Sequence, residues 1–324
     1  MIIVTGGAGF IGSAVIYALN KRGLTNILVV DEFGKDKCKN LAYLSFADYA
    51  EKTNFLKTVV EKKISPKAEA VFHMGACSDT TETDAEYLRK NNFDYTKRLA
   101  QWAAASNIRF IYASSAATYG DGSAGFSDDE EKIHILQPLN LYGYSKQLFD
   151  LWAHKNGLLK KIAGLKYFNV FGPNEYHKAD MRSFCHKAFE QITATGRVRL
   201  FKSHNPKYAD GQYMRDFIYV KNAVDMTLFF YDNPQIGGLF NIGTGRARTW
   251  NDLAQAVFAA MGRKPDIEYT EMPQHIRSQY QYFTQADITK LHKAGYDKQT
   301  TSLEDAVKDY IQNYLQKDRY LTGI

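Results

Sequence analysis

With 324 residues, 45% of them hydrophobic and 14% aromatic, the chain has ample material for a packed core, as one large domain or two intimately joined ones. The net charge of +6 comes from scattered Lys and Arg, which reads as solvated surface and argues against a nucleic-acid partner. Three widely spaced cysteines, Cys38, Cys77 and Cys185, form neither a disulfide framework nor a metal pattern, and neither a leader nor a run of 18 apolar residues is present, so a soluble cytoplasmic protein without a metal site is expected.

Along the chain, short apolar runs alternate with helix-period segments. Strands are expected at Ile2–Val4, Ile27–Asp31, Ala70–Met74 and Arg109–Ala113. The segment IGSAVIYALNKRG lies between the first two as an amphipathic helix stopped by Gly23, and Glu86–Ser106 reads as another. This alternation predicts a doubly wound, parallel α/β sheet. Pro138 is expected to open a helix that stops near Gly157, and KYFNVFG to form one strand before Pro173. From about 174 to 214 the chain turns polar and irregular, in the manner of a ligand-facing insertion. RDFIYV and a helix at Asn222–Tyr231 return to sheet texture. The expected organisation is a dinucleotide-binding domain over 1–173, to which 215–237 returns, and a smaller mixed α/β substrate domain from 174–214 and 238–324.

TGGAGFIG sets Gly6, Gly9 and Gly12 at GxxGxxG spacing directly after a strand and at the start of a helix. Glycines there allow a tight turn and let backbone approach a pyrophosphate at the helix N-terminus. Asp31 ends the second strand, where a carboxylate can hold the adenosine ribose. Asp31 alone favours NAD, whereas Lys35, Lys37 and Lys39 can supply charge for a 2′-phosphate or be a solvated loop.

YGYSK places Tyr142 and Lys146 four residues apart on one helix face. A phenol titrates near pH ~10, and a neighbouring ammonium is expected to lower that value. Ser115, within ASSAATYG at the end of a strand, can hydrogen-bond the reacting oxygen.

The segments MIIVTGGAGFIGS, HMGACSDTTE, YASSAATYG, LNLYGYSK, KYFNVFGPNEYHK, RDFIYV, FNIGTGRA and QYFTQADIT together carry a resemblance over nearly the full chain. The chain resembles the extended short-chain dehydrogenase/reductase superfamily, with a Rossmann fold, and within it the epimerases of ADP-heptoses that serve lipopolysaccharide synthesis. The resemblance implies a permanently bound NADP in preference to NAD, an ADP-heptose substrate and a homo-oligomer, pentamers included. It implies cofactor contacts at Phe10, Ile11, Asp31, Glu32, Lys37, Lys52, Met74, Gly75, Ala76, Cys77, Ser78, Asn91, Lys146, Val170 and Lys178. Substrate contacts fall at Asn169, Asp180, Lys187, Phe201, Lys202, Ser203, His204, Arg215 and Tyr280, and acid–base work at Ser115, Tyr142 and Lys178. Glu32 stands where an asparagine is more usual, Asp180 replaces a small polar residue and Lys187 a histidine, and the stretch before Arg215 is longer than the pattern.

Inverting a carbinol centre that bears no acidic proton requires passage through a carbonyl, which a bound nicotinamide permits without an external redox partner. For an ADP-heptose this means a ketone at C6″. Tyr142 is one acid–base group, and Lys178 is either the second or a phosphate ligand. Arg215 suits a diphosphate. A UDP-hexose 4-epimerase and a dinucleotide-binding regulator without catalysis are the alternatives. A 4,6-dehydratase needs an acidic pair where Ala116 and Ala117 stand.

Overall fold

The structure is a computed structural model that describes residues 1–61, 68–277 and 280–323. In chain order the strands are β1 (Ile2–Thr5), β2 (Ile27–Asp31), β3 (Asp48–Glu51), β4 (Ala70–His73), β5 (Arg109–Ser115) and β6 (Ala163–Tyr167). They continue with β7 (Asn169–Phe171), β8 (Val198–Phe201), β9 (Met214–Tyr219), β10 (Gly238–Ile242), β11 (Ala247–Thr249) and β12 (Ile267–Thr270). Seven of them form one parallel sheet in the order β10-β6-β5-β4-β1-β2-β3, the doubly wound arrangement. Central strands such as β4 and β6 are buried along their whole length, as strands covered on both faces must be, whereas β3 at the edge carries Asp48 and Glu51 at partly exposed positions.

Helices cover both faces. Phe10–Lys21 lies against Val220–Asp232, sharing a core that includes Val15, Leu19, Val224 and Leu228. On the other face Tyr95–Ala105 and Leu141–Lys155 bury Leu99, Ala103, Phe149 and Ala153. Strand order reverses between β1 and β4, so the carboxyl ends of these two strands open a crevice at the topological switch point. Among the described residues, no helix is long and apolar enough to cross a membrane.

Several expected elements differ from those observed. KYFNVFG is not one strand: β6 stops at Tyr167 in the large sheet, and β7 pairs with β9 in a three-stranded sheet, β11-β9-β7. Both halves are equally apolar, so composition carries no trace of the change of sheet. The 141–155 helix begins three residues after Pro138, because the Asn140 side chain accepts from Gly143 N at 2.8 Å and caps it. The expected irregular stretch contains the helix Phe184–Thr195 and strand β8, which pairs parallel with β12. Cys185, Ala188 and Ile192 form that helix's buried stripe within a polar composition. Strand β9, grouped with the dinucleotide region in the expected organisation, lies in the small sheet, while β10, grouped with the substrate region, is the edge strand of the large one. The 86–106 helix is interrupted by a π turn at Arg89–Asp94.

Candidate active site

Glycines build the floor of the crevice because no side chain fits there. Gly6 sits at φ +66°, and a Cβ on it would lie 2.5 Å from Gly75 Cα, where the turns after β1 and β4 meet. A Cβ on Gly12 would lie 2.0 Å from Gly6 O. The helix starting at Phe10 has no side-chain cap at Gly9, so the first-turn N–H groups remain available to an anion. Asp31 is tied into this turn: Oδ2 accepts from Ala8 N at 2.9 Å and Oδ1 from Glu32 N at 2.7 Å and Lys37 Nζ at 3.2 Å. A turn that admits no Cβ at Gly6 or Gly12, uncapped N–H groups and the lysines Lys37, Lys52 and Lys178 lining the cleft fit the phosphates of a dinucleotide.

The resulting cleft has a volume of about 680 Å³, and every residue assigned above to the cofactor lines it. Of the three lysines after Asp31, only Lys37 lines it; Lys39 pairs with Asp36 at 3.4 Å instead. Lys52 Nζ reaches Glu32 Oε1 at 2.5 Å and Asn91 Oδ1 at 2.8 Å, and its hydrogen bond holds the Glu32 carboxyl below the usual range.

Ser115, Tyr142 and Lys146 meet in the middle of the same cleft. Strand β5 delivers Ser115, and the helix bearing Tyr142 approaches so closely that a Cβ on Gly143 would lie 2.8 Å from Ala117 O. Lys146 Nζ donates to Ala113 O at 2.8 Å. The expectation that Lys146 lowers the Tyr142 phenol is not met. Burial pushes the phenol up, the hydrogen bond with Ser115 acts in the opposite direction, and Cys77 adds to the rise. Burial also pushes Lys146 itself down to about 8, against the supporting charges of Asp150 and Cys77.

Lys178 lines the same cleft, its ammonium 5.6 Å from the centroid of the Phe10 ring. Burial pushes it down and Glu175 pulls it back up. The next residue, Ala179, holds φ +45°, a left-handed conformation that is strained for alanine.

The residues assigned to substrate are more dispersed. Asn169 lines the cleft; Asp180 is exposed and Lys187 half-buried, and neither lines it. Lys202 and His204 both reach Glu271, at 3.1 and 3.4 Å. Ser203 N donates to Asp210 Oδ1 at 2.7 Å, and Tyr213 Oη donates to Phe201 O at 2.7 Å. Arg215 is buried, bonded to the carbonyls of Met214 and Gln281, and stacked over Tyr280 (5.3 Å) and Trp250 (5.9 Å). Trp250 lines the cleft and Arg215 does not.

Sequence reasoning missed Arg182, Phe184, Trp250 and Leu253 on the substrate side. It also missed Asn92, whose amide exchanges bonds with Cys77 N (2.8 Å) and Cys77 O (3.0 Å) and donates to Ser145 Oγ (2.9 Å). The π turn that carries Asn91 and Asn92 presents one to the cleft and the other to this lock, a use of π turns common at functional sites. The adjacent asparagines within a helical pattern were the available signal.

Residues 2–243 match the model of the NAD dependent epimerase/dehydratase family. The chain is 54% identical to an ADP-L-glycero-D-manno-heptose-6-epimerase of Nitratidesulfovibrio vulgaris, over 97% of this chain and 98% of that one. It is 48% identical to a protein of the same name from Fusobacterium nucleatum, over 99% and 100%. Among solved structures it is similar to the Helicobacter pylori ADP-L-glycero-D-manno-heptose-6-epimerase, with TM-score 0.82 and 27% identity over 96% of this chain and 95% of that one. It is also similar to the UDP-glucose 4-epimerase of Thermotoga maritima with UDP-glucose, with TM-score 0.80 and 26% identity over 98% and 99%.

Proposed function

The chain belongs to the NAD dependent epimerase/dehydratase family, and from that premise we propose that it inverts C6″ of ADP-D-glycero-D-manno-heptose to give the L-glycero epimer. The observation that carries this reading is the convergence of Ser115, Tyr142, Lys146 and Lys178 on one cleft, in a chain 54% identical over 97% of its length to a relative bearing that activity in its name. When bound, the nicotinamide supplies the hydride chemistry that takes the C6″ carbinol to a 6″-ketone and back.

The chain's own residues manage the proton and the pose. Ser115 and Tyr142 address the substrate oxygen from the β5 end and the adjoining helix. With its phenol pushed up, Tyr142 is protonated at neutral pH and gives its proton to the ketone oxygen in the reducing half. Lys178, lining the same cleft and shifted toward its neutral form, takes the carbinol proton in the oxidising half, in the pose that presents the other face. Gly6, Gly12, Asp31 and Lys37 hold the dinucleotide, which this reading takes to be NADP, with Lys37 and Lys52 beside the ribose. A cytoplasmic homo-oligomer is part of the same reading.

Turnover of ADP-D-glycero-D-manno-heptose against UDP-galactose tests the substrate: C6″ inversion of the first is expected, and turnover of UDP-galactose alone overturns the reading. Mass spectrometry of the nucleotide released from denatured protein tests the cofactor, with NADP(H) expected and NAD(H) alone overturning that part.

A further inference from the structure

Behind the cleft wall lies an ion pair that none of the chemistry above uses. Asp150 and Lys166 have side chains 0% exposed, with Lys166 Nζ 2.9 Å from Asp150 Oδ2. Neither lines the cleft. Two charges taken wholly out of water are commonly no more stabilising than a well-packed apolar pair of the same volume, so packing alone does not account for them. Their remaining bonds point to the catalytic strand end. Asp150 accepts from Tyr112 Oη at 2.8 Å and Ser114 Oγ at 2.7 Å. Lys166 donates to Thr118 Oγ1 at 2.7 Å, and Thr118 Oγ1 donates in turn to Ser115 O at 2.8 Å. Ser114, which precedes Ser115, and Thr118, which bonds to the Ser115 carbonyl, are therefore both bound to the pair.

The placement spans three elements. Tyr142, Lys146 and Asp150 follow at four-residue intervals along one helix, and Lys166 stands on β6 in register with Ser114 on β5. We infer that Asp150 and Lys166 are positioning residues: the buried pair locks the strand end that carries Ser115 to the helix that carries Tyr142 and Lys146, so that both hydroxyls address one substrate oxygen. This rests on the epimerase reading only for the identity of that oxygen. The pair also bears on charge. The titratable groups facing Lys146 are Asp150 on its own helix, Cys77 in the loop after β4, and His73 on β4, which burial pushes down to about 3. Asp150 leads the two that support the ammonium.

The test compares Asp150→Asn, Asp150→Glu, Thr118→Val and the apolar double variant Asp150→Leu/Lys166→Met with the wild-type holoenzyme. Readouts are Tm, retained dinucleotide, kcat and KM, and an NMR titration of Lys146. Asp150→Asn should lower kcat about tenfold or more with KM changed less than about threefold, and should move the Lys146 titration to lower pH. Asp150→Glu should recover part of both. The double variant should keep Tm near wild type while kcat stays low. A double variant with wild-type kcat, or an unmoved Lys146 titration in Asp150→Asn, overturns the inference. Should the Asp150 variants fail to fold, Thr118→Val cuts only the link to Ser115; a kcat fall at near-native Tm supports the inference, and an unchanged kcat overturns it. If the wild type turns over no ADP-heptose, the proposed function falls, while the Lys146 titration needs no substrate and still decides this point.

Discussion

At Tyr142 burial raises the phenol and Ser115 lowers it, so its protonation state is a balance struck by the surrounding side chains. Tyr142→Phe removes the proton donor and should lower kcat by about two to four orders of magnitude, with dinucleotide still bound after gel filtration. Lys178→Met should act comparably on kcat. A change confined to KM would make Lys178 an anion ligand and leave Tyr142 to act alone. Arg215 presents a different case. Its guanidinium is held by two backbone carbonyls and two aromatic faces, so Arg215→Ala should lower Tm; a KM for the nucleotide sugar raised roughly ten- to a hundredfold as well would mark a charge-assisted contact with the diphosphate. An unchanged KM with a lowered Tm would assign it a purely structural part. Ser115, Tyr142 and Lys146 were legible from motif and spacing, and Lys178 only through the resemblance. The direction of the Tyr142 shift was not, because desolvation depends on what packs around the ring.

The glycine turn and the catalytic helix are separable elements with separable failures. Gly12→Ala drives a Cβ to 2.0 Å from Gly6 O, a backbone atom that cannot move aside. Purified Gly12→Ala should therefore carry little or no dinucleotide and melt several degrees lower, whereas wild-type nucleotide content would mean the turn can re-form around a methyl group. Asn140 caps the 141–155 helix two residues before Tyr142. Asn140→Ala should cost about 1 kcal/mol of stability by chemical denaturation and loosen the first turn, where Tyr142 sits. A loss of kcat larger than the stability change implies would locate the effect in Tyr142's placement. The strands β1, β2, β4 and β5 and the helix after β1 were readable from apolar runs and period. The break between β6 and β7 and the helix at 184–195 were not, since one follows from the sheet each half pairs with and the other hides three apolar residues in a polar segment.

For the molecule as a whole, buried histidines set the response to acid. Burial pushes His73 down to about 3 and His177 to about 4, and lowers His186 as well. In each the unfolded chain binds a proton that the folded chain refuses, so ν_U exceeds ν_N and stability rises with pH. That contribution is complete above the unfolded value near ~6.5 and is lost as pH falls toward 3. Asp128, raised to about 6 by burial, works the other way between its unfolded value near ~3.9 and 6, since its folded form takes up the proton. Asp216 is raised by burial too, but with three histidines against these two aspartates Tm should fall from pH 7 to pH 4, and Asp128→Asn should steepen the fall. A flat Tm over that range by calorimetry would show that these histidines are solvated.

The sequence by itself determined the doubly wound class and the dinucleotide end of the cleft, and its own spacing offered Ser115, Tyr142 and Lys146 as candidates. The reason is that each rests on short-range geometry: a strand, a turn only glycine can make, and a tyrosine and lysine one helical turn apart. The tertiary structure alone decided where the substrate-side residues stand, with Arg215 outside the lining to which Trp250 belongs, and how the strand end and the helix are joined. Asn92 to Ser145, Lys166 to Asp150 and Lys166 to Thr118 are bonds between residues 53, 16 and 48 positions apart. No local pattern encodes such pairings. They exist because strand order brings β4, β5 and β6 side by side under one helix, and burial there sets the charge of each group that reaches the cleft.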